Sequence, residues 1–151
     1  MKFQNIIIGK RSNLSQNLRN KLQNSYVISS EEIINLKLDL NKNVGRINLI
    51  INSFYPSIKL QNPIDYNEFI EKSLLILTKI LNYFELKRIN KIIYTSSSSI
   101  YNLNNNFNLY GSKLSNREIY SITKLLCEKI LIDFTTKNKI NLSIARLFNV
   151  Y

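Results

Sequence analysis

Short, continuous apolar runs alternate along the chain with longer stretches in which apolar residues recur at helical spacing. Runs of the first kind are typical of buried strands in a parallel sheet, and the second kind is typical of helices that cover it. The runs predict strands at 3–8, 25–29, 47–53, 91–97 and 140–148, with a weaker strand at 36–40. Helical spacing predicts helices at 13–23, 31–36, 65–88 and 117–137, and a polar, Asn-rich loop is predicted at 102–116. The alternation predicts a single α/β domain with a parallel sheet and right-handed crossovers.

The formal net charge of the 151 residues is +11, from 21 basic and 10 acidic side chains. Such a balance is compatible with nucleic acid, a membrane surface or a phosphate-bearing small molecule as partner. The basic residues are scattered, however, and Lys, Asn and Ile are abundant throughout, so a general compositional bias explains the charge better. No apolar run is long enough to span a membrane. We therefore expect a soluble, cytoplasmic protein without a nucleic-acid or membrane partner.

Two residue types limit the chemistry that is available. The only cysteine is Cys127, which excludes an internal disulfide, and the chain has no histidine. Histidine-based catalysis and histidine metal sites are thereby excluded, and no zinc-type cysteine cluster exists. We expect no metal site.

The predicted helix at 117–137 places Tyr120 and Lys124 on one face, because residues four apart are neighbours on a helix. An ammonium beside a phenol lowers the pKa of the phenol from about 10 toward neutrality, which makes a general acid/base without histidine. The alternative is structural, with the Tyr120 ring packed on the aliphatic stem of Lys124.

Two further stretches point to a ligand site. The sequence "YTSSSSIY" at 94–101 follows a predicted strand, at the sheet edge where open α/β sheets bind ligands. The stretch "IIIGKRSNLSQNL" at 6–18 has the strand–turn–helix order of a dinucleotide-binding turn, with a helix N-terminus facing the pyrophosphate. A plain Ser-rich loop or helix cap is the alternative for the first stretch.

Three motifs in order resemble the extended short-chain dehydrogenase/reductase family of nucleotide-sugar epimerases, dehydratases and reductases. "KIIYTSSSSIY" is similar to the family's strand-five motif, "YSITKLLCEK" to its Tyr-x-x-x-Lys helix, and "ARLFNVY" to its Arg-x-x-Asn-x-Tyr signature. The resemblance covers the whole chain and implies a Rossmann fold, a doubly wound parallel sheet that binds NAD or NADP. It also implies a nucleotide-sugar substrate and a setting in the synthesis of cell-surface polysaccharide precursors.

The resemblance implies a role for each matching residue. Tyr120 is the implied acid/base, Lys124 holds the nicotinamide ribose and depresses the pKa of Tyr120, and Ser97 bonds the reacting substrate oxygen. Glu128 is expected to pair with Lys124 or to face solvent, and Arg146 to support the active site. The implied cofactor-binding residues are Gly9, Arg11, Ser12, Asn13, Leu14, Asn52, Ser53, Tyr120 and Lys124, and the implied substrate-proximal residues are Ser97, Ser98 and Asn149.

The first turn departs from the family's Gly-x-x-Gly-x-x-Gly pattern, since its three positions are Gly9, Ser12 and Ser15. A Cβ at Ser12 is expected to crowd the pyrophosphate, unless the hydroxyl hydrogen-bonds a phosphate instead. Ser15 is a milder change. Arg11 favours NADP slightly over NAD, because an arginine can clamp a 2′-phosphate; the alternative is a solvated surface arginine. The family's acidic residue after strand two has no clear counterpart, although Glu31 and Glu32 follow closely.

The chain ends at Tyr151, where the family continues with glycine and a smaller C-terminal substrate domain. We therefore expect residues 1–151 to be the NAD(P)-binding domain alone, as a fragment or a natural truncation, and to turn over no nucleotide sugar by itself. Exposed apolar surface would favour self-association, for example as a homodimer. The alternative function is a non-catalytic Rossmann relict that acts as an interaction module.

Overall fold

The computed structural model describes residues 3–35, 45–52, 65–105 and 115–148. Within these ranges five strands alternate with four α-helices. The strands are β1 (Phe3–Ile8), β2 (Ser25–Ile28), β3 (Arg46–Ile51), β4 (Ile89–Ser97) and β5 (Asn141–Leu147). The helices are α1 (Asn13–Lys21), α2 (Ser30–Ile34), α3 (Asp65–Tyr83) and α4 (Asn116–Asn138), and two 3₁₀-helices cover Leu86–Arg88 and Ser98–Asn105.

The described strands form one sheet in the order β2-β1-β3-β4-β5, and every neighbouring pair is parallel. The chain adds β2 on one side of β1 and then returns to add β3, β4 and β5 on the other side. The strand order therefore reverses between β1 and β3, which opens a crevice at the carboxyl ends of these strands. The predicted doubly wound parallel α/β fold is confirmed.

Isoleucine and leucine from the three central strands build the core. The side chains of Ile6, Leu49 and Ile92 are fully buried, and they stand at the same level of β1, β3 and β4. Helices α3 and α4 cover them with Ile76, Leu77, Ile80 and Leu131, all without exposed surface. This packing anchors the strand ends that carry the polar residues described below.

Several element boundaries differ from the predictions. Helix α3 ends at Tyr83, and a short 3₁₀ turn at Leu86–Arg88 replaces the predicted last helical turn. The first part of the predicted polar loop belongs to the 3₁₀-helix at Ser98–Asn105, which begins with the backbone N–H of Ser99 donating to the Ser97 hydroxyl at 3.2 Å. The weaker strand predicted at 36–40 lies outside the described residues. No helix in the described part of the chain is long and apolar enough to cross a membrane.

Candidate active site

The turn between β1 and α1 lies at the crevice and begins with a glycine that the backbone requires. Gly9 has a φ of 114°, a conformation that a side chain would oppose. Ser12, at the family's second glycine position, has an ordinary extended conformation with φ −80° and ψ 134°. The backbone therefore tolerates a serine at position 12. Asn13 and Leu14 follow in the first turn of α1, which contains no acidic side chain.

Asn52, directly after β3, hydrogen-bonds both serines of this turn. Its side-chain Nδ2 donates to Ser12 Oγ at 2.7 Å and to Ser15 Oγ at 2.9 Å. Thr95 Oγ1, from the neighbouring strand β4, donates to Asn52 Oδ1 at 2.8 Å. Ser15 is fully buried, and Asn52 and Thr95 are each only 7% exposed. The family resemblance implied Asn52 as a cofactor-binding residue, and in the structure its side chain bonds the two serines of the turn.

Ser97, Tyr120 and Lys124 come together at the carboxyl end of β4. The Tyr120 phenol lies near the Ser97 side chain, whose hydroxyl acts to lower the pKa of the phenol. Lys124 Nζ lies 5.8 Å from the centre of the Tyr120 ring and 5.0 Å from that of Tyr94. It donates a hydrogen bond to the backbone carbonyl of Thr95 at 3.0 Å. Thr95 thus touches both the lysine and Asn52, a double role that the sequence reasoning missed.

Burial controls ionisation in this group. It lowers the pKa of Lys124 to about 8, since an ammonium loses hydration in the protein interior. Burial also raises the pKa of Tyr120, and the nearby Ser97 hydroxyl opposes that rise without cancelling it. The predicted lowering of the Tyr120 pKa by Lys124 is therefore not observed in this structure, where the ammonium sits by the ring face and bonds a carbonyl. Tyr120 is a protonated phenol at neutral pH.

Hydrogen bonds between serine hydroxyls link Ser97 to helix α4. Ser97 Oγ and Ser99 Oγ are 2.9 Å apart, and Ser121 Oγ of α4 donates to Ser99 Oγ at 2.9 Å. Ser121 was not predicted as a site residue, although it adjoins Tyr120 in the sequence. Ser98 begins the 3₁₀-helix and is partly exposed. The two predicted residues Ser53 and Asn149 lie outside the described residues.

Glu128 does not pair with Lys124 or face solvent, so both expectations for it are wrong. Its side chain is 2% exposed, and Arg146 of β5 donates to it twice, Nε to Oε1 at 3.0 Å and Nη2 to Oε2 at 2.8 Å. Burial alone would raise the pKa of Glu128, but hydrogen bonds and the charge of Arg146 hold it below the ordinary value. The Arg146 guanidinium also lies 4.8 Å from the Tyr101 ring centre. Arg146 thus connects α4 and β5 to the segment after Ser97.

Arg11 is exposed and forms an ion pair with Glu31 of α2. Their Nη2 and Oε1 atoms are 3.0 Å apart, and the side chains are 79% and 71% exposed. Arg11 is therefore a solvated surface arginine, as the alternative expected, and it has one carboxylate partner. Among the described residues no group of three or more metal-ligating side chains is close enough to hold a metal ion.

The fold and the turn define a doubly wound α/β protein with a dinucleotide-type crevice. The sequence matches the family model described as the NAD dependent epimerase/dehydratase family over residues 10–151. The chain belongs to this family. A comparison with curated proteins found no match.

Solved structures of the same fold share little sequence with the chain. GDP-mannoheptose C4 reductase from Campylobacter jejuni with NADP bound is 14% identical, with a TM-score of 0.71 over 100% of this chain and 50% of that one. A short-chain dehydrogenase/reductase superfamily protein from Agrobacterium tumefaciens with bound NAD is 14% identical, with a TM-score of 0.68 over 96% and 48%. UDP-glucuronic acid 4-epimerase from Bacillus cereus in complex with NAD is 16% identical, with a TM-score of 0.65 over 98% and 57%. At these identities the likeness concerns the fold alone, and the chain spans about half the length of these structures.

Proposed function

We propose that this chain is the cofactor-binding and catalytic half of an NAD(P)-dependent enzyme that modifies a nucleotide sugar as an epimerase, dehydratase or reductase. Membership of the NAD dependent epimerase/dehydratase family supports the reaction class. The bound NAD of the Bacillus cereus epimerase and the bound NADP of the Campylobacter jejuni reductase support a nicotinamide dinucleotide as cofactor. Residues 1–151 would be the NAD(P)-binding domain, and substrate binding would need a further domain.

The observation that carries this proposal is the meeting of Ser97, Tyr120 and Lys124 at one strand end. The Tyr120 phenol lies near the Ser97 side chain, and Lys124 Nζ lies 5.8 Å from the centre of the Tyr120 ring. A phenol and a second hydroxyl can then bind one substrate oxygen between them. Their position at the carboxyl edge of the sheet is where ligands of this fold class are bound.

When bound, the nicotinamide would supply hydride chemistry at a sugar carbon. Tyr120, protonated in this structure, would donate its proton to a sugar carbonyl oxygen as that oxygen gains negative charge. Ser97 would hold the same oxygen by a hydrogen bond. For the reverse reaction Tyr120 must accept a proton as phenolate, and the charge of Lys124 would stabilise that form.

The residues of the first turn fit a dinucleotide. Gly9 has no side chain at the strand end, and the N-terminus of α1 has neither a side-chain cap nor an acidic residue in its first turn. Its backbone N–H groups at Asn13 and Leu14 are therefore suited to a diphosphate. Asn52 and Ser53 would line the same crevice, and Lys124 would bind the nicotinamide ribose.

Arg11 supports a slight preference for NADP. Its guanidinium lies beside α2, next to the end of β2 where the adenosine ribose of a dinucleotide binds in this fold. A 2′-phosphate would draw Arg11 away from Glu31 and take over its hydrogen bonds. The proposed setting is the cytoplasm, in the synthesis of polysaccharide precursors, and a homodimer is proposed as the assembly.

Titration of the purified chain with NADPH and with NADH, followed by cofactor fluorescence, tests the proposal. We expect saturable binding of at least one of them. Lys124→Met should weaken binding roughly tenfold through the lost ribose contact, and Tyr120→Phe should bind nearly as well as the unmodified chain. Lys129→Met, an exposed position on the same helix, is the matched control and should change nothing. Absence of binding to both dinucleotides would overturn the proposal.

A non-catalytic relict remains the second candidate, favoured by the loss of glycine at positions 12 and 15. The hydrogen bonds from Asn52 weaken this argument, because both serine hydroxyls have a partner inside the turn. The two candidates differ in turnover. Joined to a substrate domain from a family member, an enzyme half should oxidise or reduce a nucleotide sugar and lose this activity with Tyr120→Phe, whereas a relict should bind its partner without turnover.

A further inference from the structure

Three of the described α-helices are preceded by a serine with an extended backbone conformation. Two of these serines cap their helix with the side chain, and Ser12 does not. Ser29 accepts a hydrogen bond from the backbone N–H of Glu32 at 3.1 Å, and Ser115 accepts one from Glu118 at 3.3 Å. Both are capping boxes, the usual arrangement at a helix start. Ser12 occupies the same position before α1 but accepts no hydrogen bond from that helix.

Asn52 accounts for the difference. Its Nδ2 carries two N–H groups, and the structure directs them to Ser12 Oγ and Ser15 Oγ. Its Oδ1 lies 2.8 Å from Thr95 Oγ1, whose one proton is shared between this oxygen and the Asn52 backbone carbonyl at 2.7 Å. The Ser12 hydroxyl is thereby held 2.7 Å from Asn52 Nδ2, at the end of β3, and does not bond the N–H groups of its own helix. Its proton is still available, because a hydroxyl that accepts a bond can also donate one.

We propose that the Asn52 side chain is a positioning residue that replaces the two missing turn glycines, by holding Ser12 and Ser15 so that the start of α1 stays open to a cofactor phosphate. This inference rests on the proposed function. Without Asn52, Ser12 would rotate onto the free N–H groups as Ser29 and Ser115 do, and would compete with the phosphate. Ser15 would be left with a buried hydroxyl lacking its partner, which is destabilising. With Asn52 present, the Ser12 hydroxyl adds a donor toward the phosphate.

A double-mutant cycle in the intact chain tests this role, with the Kd for NADPH measured by fluorescence. Asn52→Ala should weaken binding about tenfold, as expected for loss of a charge-assisted hydrogen bond. In a Ser12→Gly/Ser15→Gly chain, the same Asn52→Ala change should alter the Kd by less than about twofold, since no hydroxyl is left to position. Asn48→Ala is the matched control: it removes an asparagine from the same strand, hydrogen-bonded to Asn5 and Asn90, far from the turn.

Three results would overturn the positioning role of Asn52. A structural role alone would lower the melting temperature of Asn52→Ala but leave the Kd of the folded chain unchanged, and that result overturns the inference. An equal loss of affinity in the serine and glycine backgrounds also overturns it, while leaving the proposed function intact. If Asn52→Ala does not fold, Asn52→Ser is used in the same cycle, because one short hydroxyl cannot reach both serines. An unmodified chain that binds neither NADPH nor NADH overturns the proposed function and this inference with it.

Discussion

The Arg146 guanidinium and the Glu128 carboxylate form a two-pronged hydrogen-bonded ion pair between β5 and α4, with the carboxylate almost fully buried. Removing the cation leaves an uncompensated charge inside the protein, which is far more unfavourable than losing a surface pair. We expect Arg146→Met to lower the free energy of unfolding by about 3 kcal/mol in denaturant titrations at pH 7. Lys137→Ala, which breaks an exposed pair with Asp133 on the same helix, should change it by less than about 0.5 kcal/mol.

The same pair should make stability depend on acid. The pKa of Glu128 is held below its ordinary value of 4.5, so the folded chain releases this proton more readily than the unfolded chain. The stabilisation is therefore present above about pH 4.5 and is lost as the pH falls through the folded-state pKa. The difference in unfolding free energy between the unmodified chain and Arg146→Met should shrink over that interval. A difference that stays constant down to pH 3 would contradict the pairing.

Lys124 should give a pH dependence of the same sign in an alkaline window. Its pKa is about 8 in the folded chain against an ordinary value of 10.5, so the unfolded chain binds more protons between these values. The unfolding free energy should then rise with pH across this window, relative to Lys124→Met, by roughly 1–3 kcal/mol. Chemical denaturation at pH 7.5, 9 and 10.5 measures it, with Lys129→Met as the exposed control. Parallel pH curves for the unmodified chain and Lys124→Met would show that the lysine is not buried as described.

The pair of Arg11 and Glu31 should control the choice between NADP and NAD. Arg11→Ala is expected to remove any preference for NADP, a change of roughly tenfold in the Kd ratio, because a charge-assisted bond is lost. Glu31→Gln should increase the preference a fewfold, since Arg11 then has no competing carboxylate and the 2′-phosphate meets no like charge. Both are measured by fluorescence titration at a fixed low salt concentration. Arg19→Ala, at the far end of α1, should leave the ratio unchanged, and equal ratios in all four chains would rule out this role for Arg11.

Cys127 should be chemically inert in the folded chain. It is fully buried, and burial raises the pKa of its thiol to about 11, so almost no reactive thiolate exists at pH 8. Iodoacetamide should modify the native chain very slowly and the guanidinium-unfolded chain completely, as followed by mass spectrometry. Modification of both at the same rate would mean that the packing between α4 and Tyr94 opens readily.

The sequence alone determined the elements and the local chemistry. Continuous apolar runs such as Ile6–Ile8 predict strands, because a parallel strand buried on both faces must be apolar throughout. Tyr120 and Lys124 are predicted to be neighbours, because helical geometry fixes the relation of residues four apart. The turn at Gly9 was located from the sequence as well, because an apolar strand, a glycine and a helix follow one another there.

The tertiary structure alone decided which distant residues meet and which protons they hold. Asn52 reaches Ser12 across 40 positions of sequence, and Arg146 reaches Glu128 across 18, so no local spacing could reveal either contact. The helix pattern suggested Lys124 as the partner of Glu128, but the packing of α4 against β5 brings Arg146 to it instead. The pKa of Tyr120 was predicted in the wrong direction, because spacing along a helix gives the nearest charge but not the loss of water around the phenol. That loss arises only when the strands and helices pack together.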